Sequence, residues 1–446
     1  MKRILLAIAA SLVFSGAVAD PLILPMRERA AIIDRWLATR VQTILPELMR
    51  RTEIDMWVII SREYNEDPVL RTFLPSTWQS ARRTTILVIT DPGNGEPLET
   101  LAVARYDVGE TFKAAWDKER DGEQWAHLAK LIEARDPKRI GLNFSEIYAH
   151  ADGISQTEFR LFHDALPERL HDRVVSAENL AVGWLETRTP EEMAIYPQIV
   201  RIAHEILAEG LSDAVIQPGI TTTTDVQWWY RDRIRELKLT TWFHPSVSIA
   251  RADQPETDMS EWALKRYDDE VIQPGDLLHV DFGITYLRLN TDTQQHAYVL
   301  KPGETDAPEE LRAALAAGNR LQDILTGNFK TGRTGNDILA RSLAQARKEG
   351  ITPSIYTHPI GFHGHAAGST IGMWDQQEGV PGDGDYPMNP NTAYSIELYA
   401  ESEIPSWGKA VRIQLEEDAF FDGEKVTYID GRQKELHLIP RVPPVQ

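Results

Sequence analysis

Apolar residues recur along this chain in two rhythms, and the rhythms lay out its elements before any chemistry is considered. Between residues 27 and 49, Ile32, Ile33, Trp36, Leu37, Val41, Ile44 and Leu45 keep to one side of a 3.6-residue period, which predicts one long amphipathic helix. Short apolar runs follow. Residues 56–60, 85–89, 101–104, 139–142 and 173–175 read as strands, with a helix over 124–135 among them. Strands alternating with helices predict a mixed sheet under helical cover. The polar stretch 62–67 after the first strand is expected to be a solvated loop.

A new unit begins near residues 185–190. Thr189-Pro190-Glu191-Glu192 is a helix start, with an N-cap threonine, proline in the first turn and acids behind it. Its apolar face runs through Ile195, Ile199, Ile202, Ala203, Ile206 and Leu207. Gln217-Pro218-Gly219 is a turn, and Thr224-Asp225 opens a second helix reaching about residue 238. Strands are expected at 247–249, 277–282 and 297–300, helices at 308–325 and 334–349, and a β-rich end thereafter. No internal repeat is visible.

Composition bounds the class. The chain has 446 residues, enough for two domains with a sizeable core, and 42% apolar and 26% charged residues, as in soluble globular proteins. Lys2-Arg3, the apolar run 4–14 and Ala17-Val18-Ala19 form a secretory signal, so the expected organisation is signal 1–19, first domain 20–186 and second domain 187–446, in the periplasm or outside the cell. Formal charge is −20, and loss of Lys2 and Arg3 takes it to −22. Such a balance argues against nucleic acid or an anionic membrane as partner. With no cysteine, disulfides, thiolate zinc sites and cysteine nucleophiles are excluded.

The candidate chemistry lies in the second half. Asp281 interrupts the apolar run Leu277-Leu278-His279-Val280-Asp281-Phe282, and Asp292 follows eleven residues later, after a hairpin through Gly283 to Leu289. Taken alone, Asp281 could pair with an arginine or cap a turn, with Asp292 merely solvated. Brought together, two buried carboxylates repel unless a proton or cation lies between them. His358, His363 and His365 follow within eight residues, among glycines and alanines, as imidazoles suited to zinc, manganese or iron. Glu397 sits in the apolar pattern Tyr394-Ser395-Ile396-Glu397-Leu398-Tyr399, and Glu416 likewise in the strand pattern 411–421, where alternation puts Arg412, Gln414 and Glu416 on one face and Glu417 on the other.

The order Asp281, Asp292, His365, Glu397, Glu416 resembles the pita-bread metallopeptidases: methionine aminopeptidase, Xaa-Pro aminopeptidase, prolidase and their metal-free relative creatinase. The resemblance covers about residues 187–423, and the eleven-residue spacing is its most specific part. Residues 20–186 resemble the creatinase-type amino-terminal domain of the prolidase-like branch. The resemblance implies an α/β (α+β) protein with a pita-bread domain behind a smaller α/β domain, and a hydrolase for short peptides or dipeptides, Xaa-Pro aminopeptidase-like, using a metal-activated water. It implies two divalent ions (manganese, zinc or cobalt) held by Asp281, Asp292, His365 (opening the pattern His365-Ala366-Ala367-Gly368), Glu397 and Glu416, with Glu397 also the general base. His363 is the other histidine candidate as ligand, and Glu417 the other glutamate. Homodimers are common among such proteins. The family's Asp-x-Thr-Arg reads Asp292-Thr293-Gln294-Gln295 here, and its usual substrate-facing histidines are absent from their places, so His358 or His363 is expected to serve instead. The alternatives on the same scaffold are a non-catalytic peptide- or metal-binding protein and a metal-free creatinase-like hydrolase.

Overall fold

A computed structural model describes residues 23–93, 95–255 and 268–440. The secretory-signal reading at 1–19 lies outside the described residues. The expected helix over 27–49 is two, α1 (Met26–Thr43) and α2 (Leu45–Arg51). Pro46 has no N–H to donate back into the first helix and its ring clashes with the preceding turn, which ends α1 there.

The first unit is built on one six-stranded sheet. Its strands are β1 (Met56–Arg62), β2 (Thr84–Thr90), β3 (Glu99–Ala102), β4 (Lys113–Ala114), β5 (Ile140–Leu142) and β6 (Val174–Ser176), in the order β4-β3-β2-β1-β5-β6. β1 pairs antiparallel with β2 and parallel with β5. That central position explains why its run is apolar on both faces. The helices α3 (Pro68–Phe73), α4 (Lys118–Asp121), α5 (Gln124–Arg135) and α6 (Gln156–Ala165) follow in this unit, and α7 (Glu178–Glu186) closes it. The stretch 62–67 is not wholly solvated. Asp67 is buried, accepts the backbone N–H groups of Val69 and Leu70 at the start of α3, and accepts a bond from Asn143 at 2.9 Å. Helix capping, invisible to a polarity count, brought it inside.

α8 (Pro190–Gly210) starts with the expected N-cap, now seen as a full capping box between Thr189 and Glu192. The buried Arg40 of α1 ties it to the first unit, bonding Glu192 at 3.0 Å, Thr187 O at 2.7 Å and Trp184 O. α9 (Thr223–Glu236) follows, and α10 (Glu309–Gly327) and α11 (Gly335–Lys348) cover the later sheets.

The strands here are β7 (Ser246–Ala250), β8 (Leu277–Phe282), β9 (Thr285–Tyr286), β10 (Leu289–Asn290), β11 (Thr293–Val299), β12 (Thr352–Ile355), β13 (His358–Pro359), β14 (Thr392–Ser395), β15 (Leu398–Ile404), β16 (Lys409–Leu415), β17 (Asp418–Phe421), β18 (Val426–Tyr428) and β19 (His437–Ile439). They form the sheets β19-β11-β8-β7, β12-β15-β16 and β13-β14-β17-β18, with β9 and β10 as a small hairpin. The chain leaves one sheet for another at Ile396-Glu397, between β14 and β15, and returns at Glu416-Glu417, between β16 and β17. Released from a regular ladder, these positions can turn carboxylates into the space between sheets.

Candidate metal centre

Asp281 stands near the end of β8 and Asp292 just before β11. The two strands run antiparallel, with Asp281 opposite Gln294. The hairpin between them therefore returns the second aspartate beside the first. An isolated bridge from Gln294 to Glu416 brings the β16–β17 junction to the same place. Glu397 is fixed by its backbone: its N–H donates to Thr357 Oγ1 at 3.0 Å, and that hydroxyl donates to its carbonyl at 2.9 Å. His358 enters from β13, which pairs with β14.

Donor atoms of Asp281, Asp292 and Glu416 lie within 4.8 Å of one another, as do those of His358, Glu397 and Glu416, and those of Asp292, His358 and His365. His358 Nε2 is 3.4 Å from Glu416, 3.7 Å from Asp292 and 3.9 Å from Glu397. Among the described residues, no lysine or arginine is within ion-pair distance of Asp292 or Glu416. Burial, followed by the charges of Glu416, Asp281, Glu397 and Asp418, pushes the Asp292 carboxyl well above the usual range. Asp292 Oδ1 and His358 Nε2 are buried and have no hydrogen-bond partner. Buried polar atoms are rarely left so, and a cation among them would satisfy both. The donor set, oxygens with imidazole, fits a divalent metal.

Six of the sequence candidates meet here: Asp281, Asp292, His358, His365, Glu397 and Glu416. His358 is the more central histidine. His365 lies at the rim, its ring 4.8 Å from that of His358 and 5.1 Å from that of Trp242. His363 joins none of the three donor groups and instead packs against His150 of the first unit, ring centroids 4.4 Å apart. Loss of solvation, then the charges of His150, Arg188 and Arg71, lower it to about 3. Glu417 points elsewhere. It accepts from Gln295 at 2.8 Å and from the Gln433 N–H at 3.0 Å, and lies 2.7 Å from His204 Nε2. A signal for His358 was present in the chain: His358-Pro359-Ile360-Gly361 is also a His-x-x-Gly pattern. None marked Gln294, which donates to both Glu397 and Glu416.

The fold and this carboxylate–imidazole cluster define a class: a two-unit α/β protein with a pita-bread second half built around a candidate metal centre. Residues 198–417 match, and belong to, metallopeptidase family M24. No curated protein matches the chain. Among solved structures it is similar to an X-Pro aminopeptidase from Thermotoga maritima MSB8, at 18% identity and a TM-score of 0.62, over 88% of this chain and 99% of that one. It is also similar to an Xaa-Pro dipeptidase from Bacillus anthracis, at 16% identity and a TM-score of 0.56, over 93% and 100% of the two chains. A prolidase from Pyrococcus furiosus matches at 14% identity with a TM-score of 0.54, over 87% and 99%. These likenesses extend over both units, so the fold of the whole described chain is the prolidase-like one.

Proposed function

We propose that this chain is a metal-dependent exopeptidase for short peptides, an aminopeptidase or dipeptidase of the Xaa-Pro kind, exported to the periplasm or beyond and working with two divalent cations. One observation carries the reading: Asp292 Oδ1 and His358 Nε2 are buried without partners inside a group of four carboxylates. Those four, Asp281, Asp292, Glu397 and Glu416, balance two dications. In this reading Asp281, Asp292 and Glu416 would hold one cation, and His358, Glu397 and Glu416 the other. His358 takes the place that the sequence pattern offered His365, which faces substrate from the rim, and His363 has no part in the chemistry.

Divalent cations held there would polarise a scissile carbonyl and bring a water's pKa near neutrality. Glu397 accepts the water's proton and returns it to the leaving amine. The Thr357 hydroxyl holds the Glu397 backbone for that task. The names of the similar structures support a substrate of two or a few residues with proline second.

The test is metal analysis of the purified chain together with a panel of dipeptides and tripeptides, with and without proline in second position, under manganese, cobalt or zinc. Expected are about two cations per chain and release of the first residue, abolished by a chelator. A chain that binds metal and cleaves no peptide would overturn the enzyme reading. A chain that takes up no metal would overturn the site. For export, the mature protein is expected in the periplasm or medium, beginning at Asp20, and an uncleaved cytoplasmic product would contradict it.

A further inference from the structure

Gln294 is the residue of the cluster that the family resemblance does not supply. It follows Asp292 by two positions, so strand alternation sends both side chains to one face. Its amide nitrogen lies 2.5 Å from Glu397 Oε1 and 2.8 Å from Glu416 Oε2. Carboxylates accept hydrogen bonds and do not donate them, so the nitrogen end of the amide must face the glutamates and the oxygen end must face away. The oxygen end meets His279 Nε2 at 2.8 Å. His279 must therefore carry its proton on that nitrogen, and its Nδ1 lies 3.5 Å from Ser248 Oγ. Gln294 and His279 are both buried.

We propose that Gln294 is a positioning residue: it clamps Glu397 and Glu416 at a set separation, with His279 fixing which way its amide points, and so preorganises the pair for a cation. The inference rests on the proposed metal centre. Each N–H of one rigid amide takes one oxygen of each glutamate. The Ser395 hydroxyl donates to the other oxygen of Glu416 at 2.6 Å, which leaves that carboxylate little freedom to rotate. Every carboxylate oxygen has a second lone pair, so a clamped oxygen can still meet a metal. Two partial positive charges between the carboxylates also reduce their repulsion before a cation arrives. Partners of this kind around metal ligands typically contribute about 10- to 100-fold in affinity.

The next residue supplies the control. Gln295 is equally buried and hydrogen-bonded to a glutamate, but to Glu417, outside the cluster. Manganese affinity of the full chain is measured by titration calorimetry, with circular dichroism to establish folding and the cobalt absorption spectrum to report ligand geometry. Gln294→Leu is expected to weaken manganese binding about 10- to 100-fold and to shift the cobalt spectrum, whereas Gln295→Leu loses stability and keeps both. If Gln294→Leu does not fold, His279→Phe carries the test, with at least a threefold loss expected from an unanchored amide. Unchanged affinity in the folded variant overturns the clamp, as does an equal loss in Gln295→Leu. An unmodified chain that binds no manganese, cobalt or zinc overturns the metal centre and the clamp with it, whereas one that binds normally while Gln294→Leu is unaffected removes the clamp alone.

Discussion

At the scale of single residues, the two neighbours Glu416 and Glu417 separate function from architecture. Both are buried and only one faces the donor cluster. Glu416→Gln is expected to lose at least one bound cation and to keep its fold. Glu417→Gln should keep the cations and lose about 3 kcal/mol, because it strips a buried partner from His204. Calorimetric titration and urea unfolding of the two variants check this, and the reverse pattern would refute the assignment. Asp292→Ala should lose at least one bound cation while leaving the metal-free protein no less stable. The deleted group is a carboxylate crowded by Glu416, Asp281, Glu397 and Asp418, and relief of that repulsion offsets the lost packing. A large drop in metal-free melting temperature would contradict it.

At the scale of elements, α8 carries one edge of the site. Tyr196 on this helix donates to the Asn290 carbonyl at 2.6 Å, two residues before Asp292, and His204 lies a little over two turns further on. The helix is started by the Thr189–Glu192 box. Thr189→Ala is expected to cost about 1 kcal/mol in denaturant unfolding, with cation affinity reduced far less than in the Asp292 variant. The start of α8 was legible from Thr189-Pro190-Glu191-Glu192 because caps are local. The sheet changes at Ile396-Glu397 and Glu416-Glu417 were not, because which ladder a strand joins is set by partners far away in sequence.

At the scale of the molecule, titratable groups displaced from their ordinary range give stability its dependence on pH. Burial raises Glu186 to about 7 and Asp67 to about 6. Burial opposes charge on His204, but Glu417 and Asp430 outweigh it and raise it to about 10. From about pH 4 to 7 the native chain holds protons on Asp67 and Glu186 that the unfolded chain has released, which lowers stability as pH rises, while His279, His296 and His363, held below the usual imidazole range, act in the opposite sense up to about pH 6.5. His204 contributes fully below about pH 6.5, and its contribution is lost as pH rises toward 10. The metal-free melting temperature should therefore decline from neutral to alkaline pH, as His204 loses its proton. Glu186→Gln should remove one source of lost stability between about pH 4 and 7, and a profile still rising between about pH 7 and 9 would contradict the assignment of His204.

Most elements and the aspartate spacing were written locally, in period, caps and turns. The donor residues were therefore nameable from the chain, because an ionisable group inside an apolar run is itself a local anomaly. Which histidine stands among the carboxylates was not local. His358 and His365 both open a His-x-x-Gly pattern, and only the pairing of β13 with β14 sets His358 between Asp292, Glu397 and Glu416. Which of Glu416 and Glu417, and which of Gln294 and Gln295, meets the cluster was decided in the same way. Adjacent residues at these junctions turn to opposite sides, and only the packed sheets determine which side holds the charge.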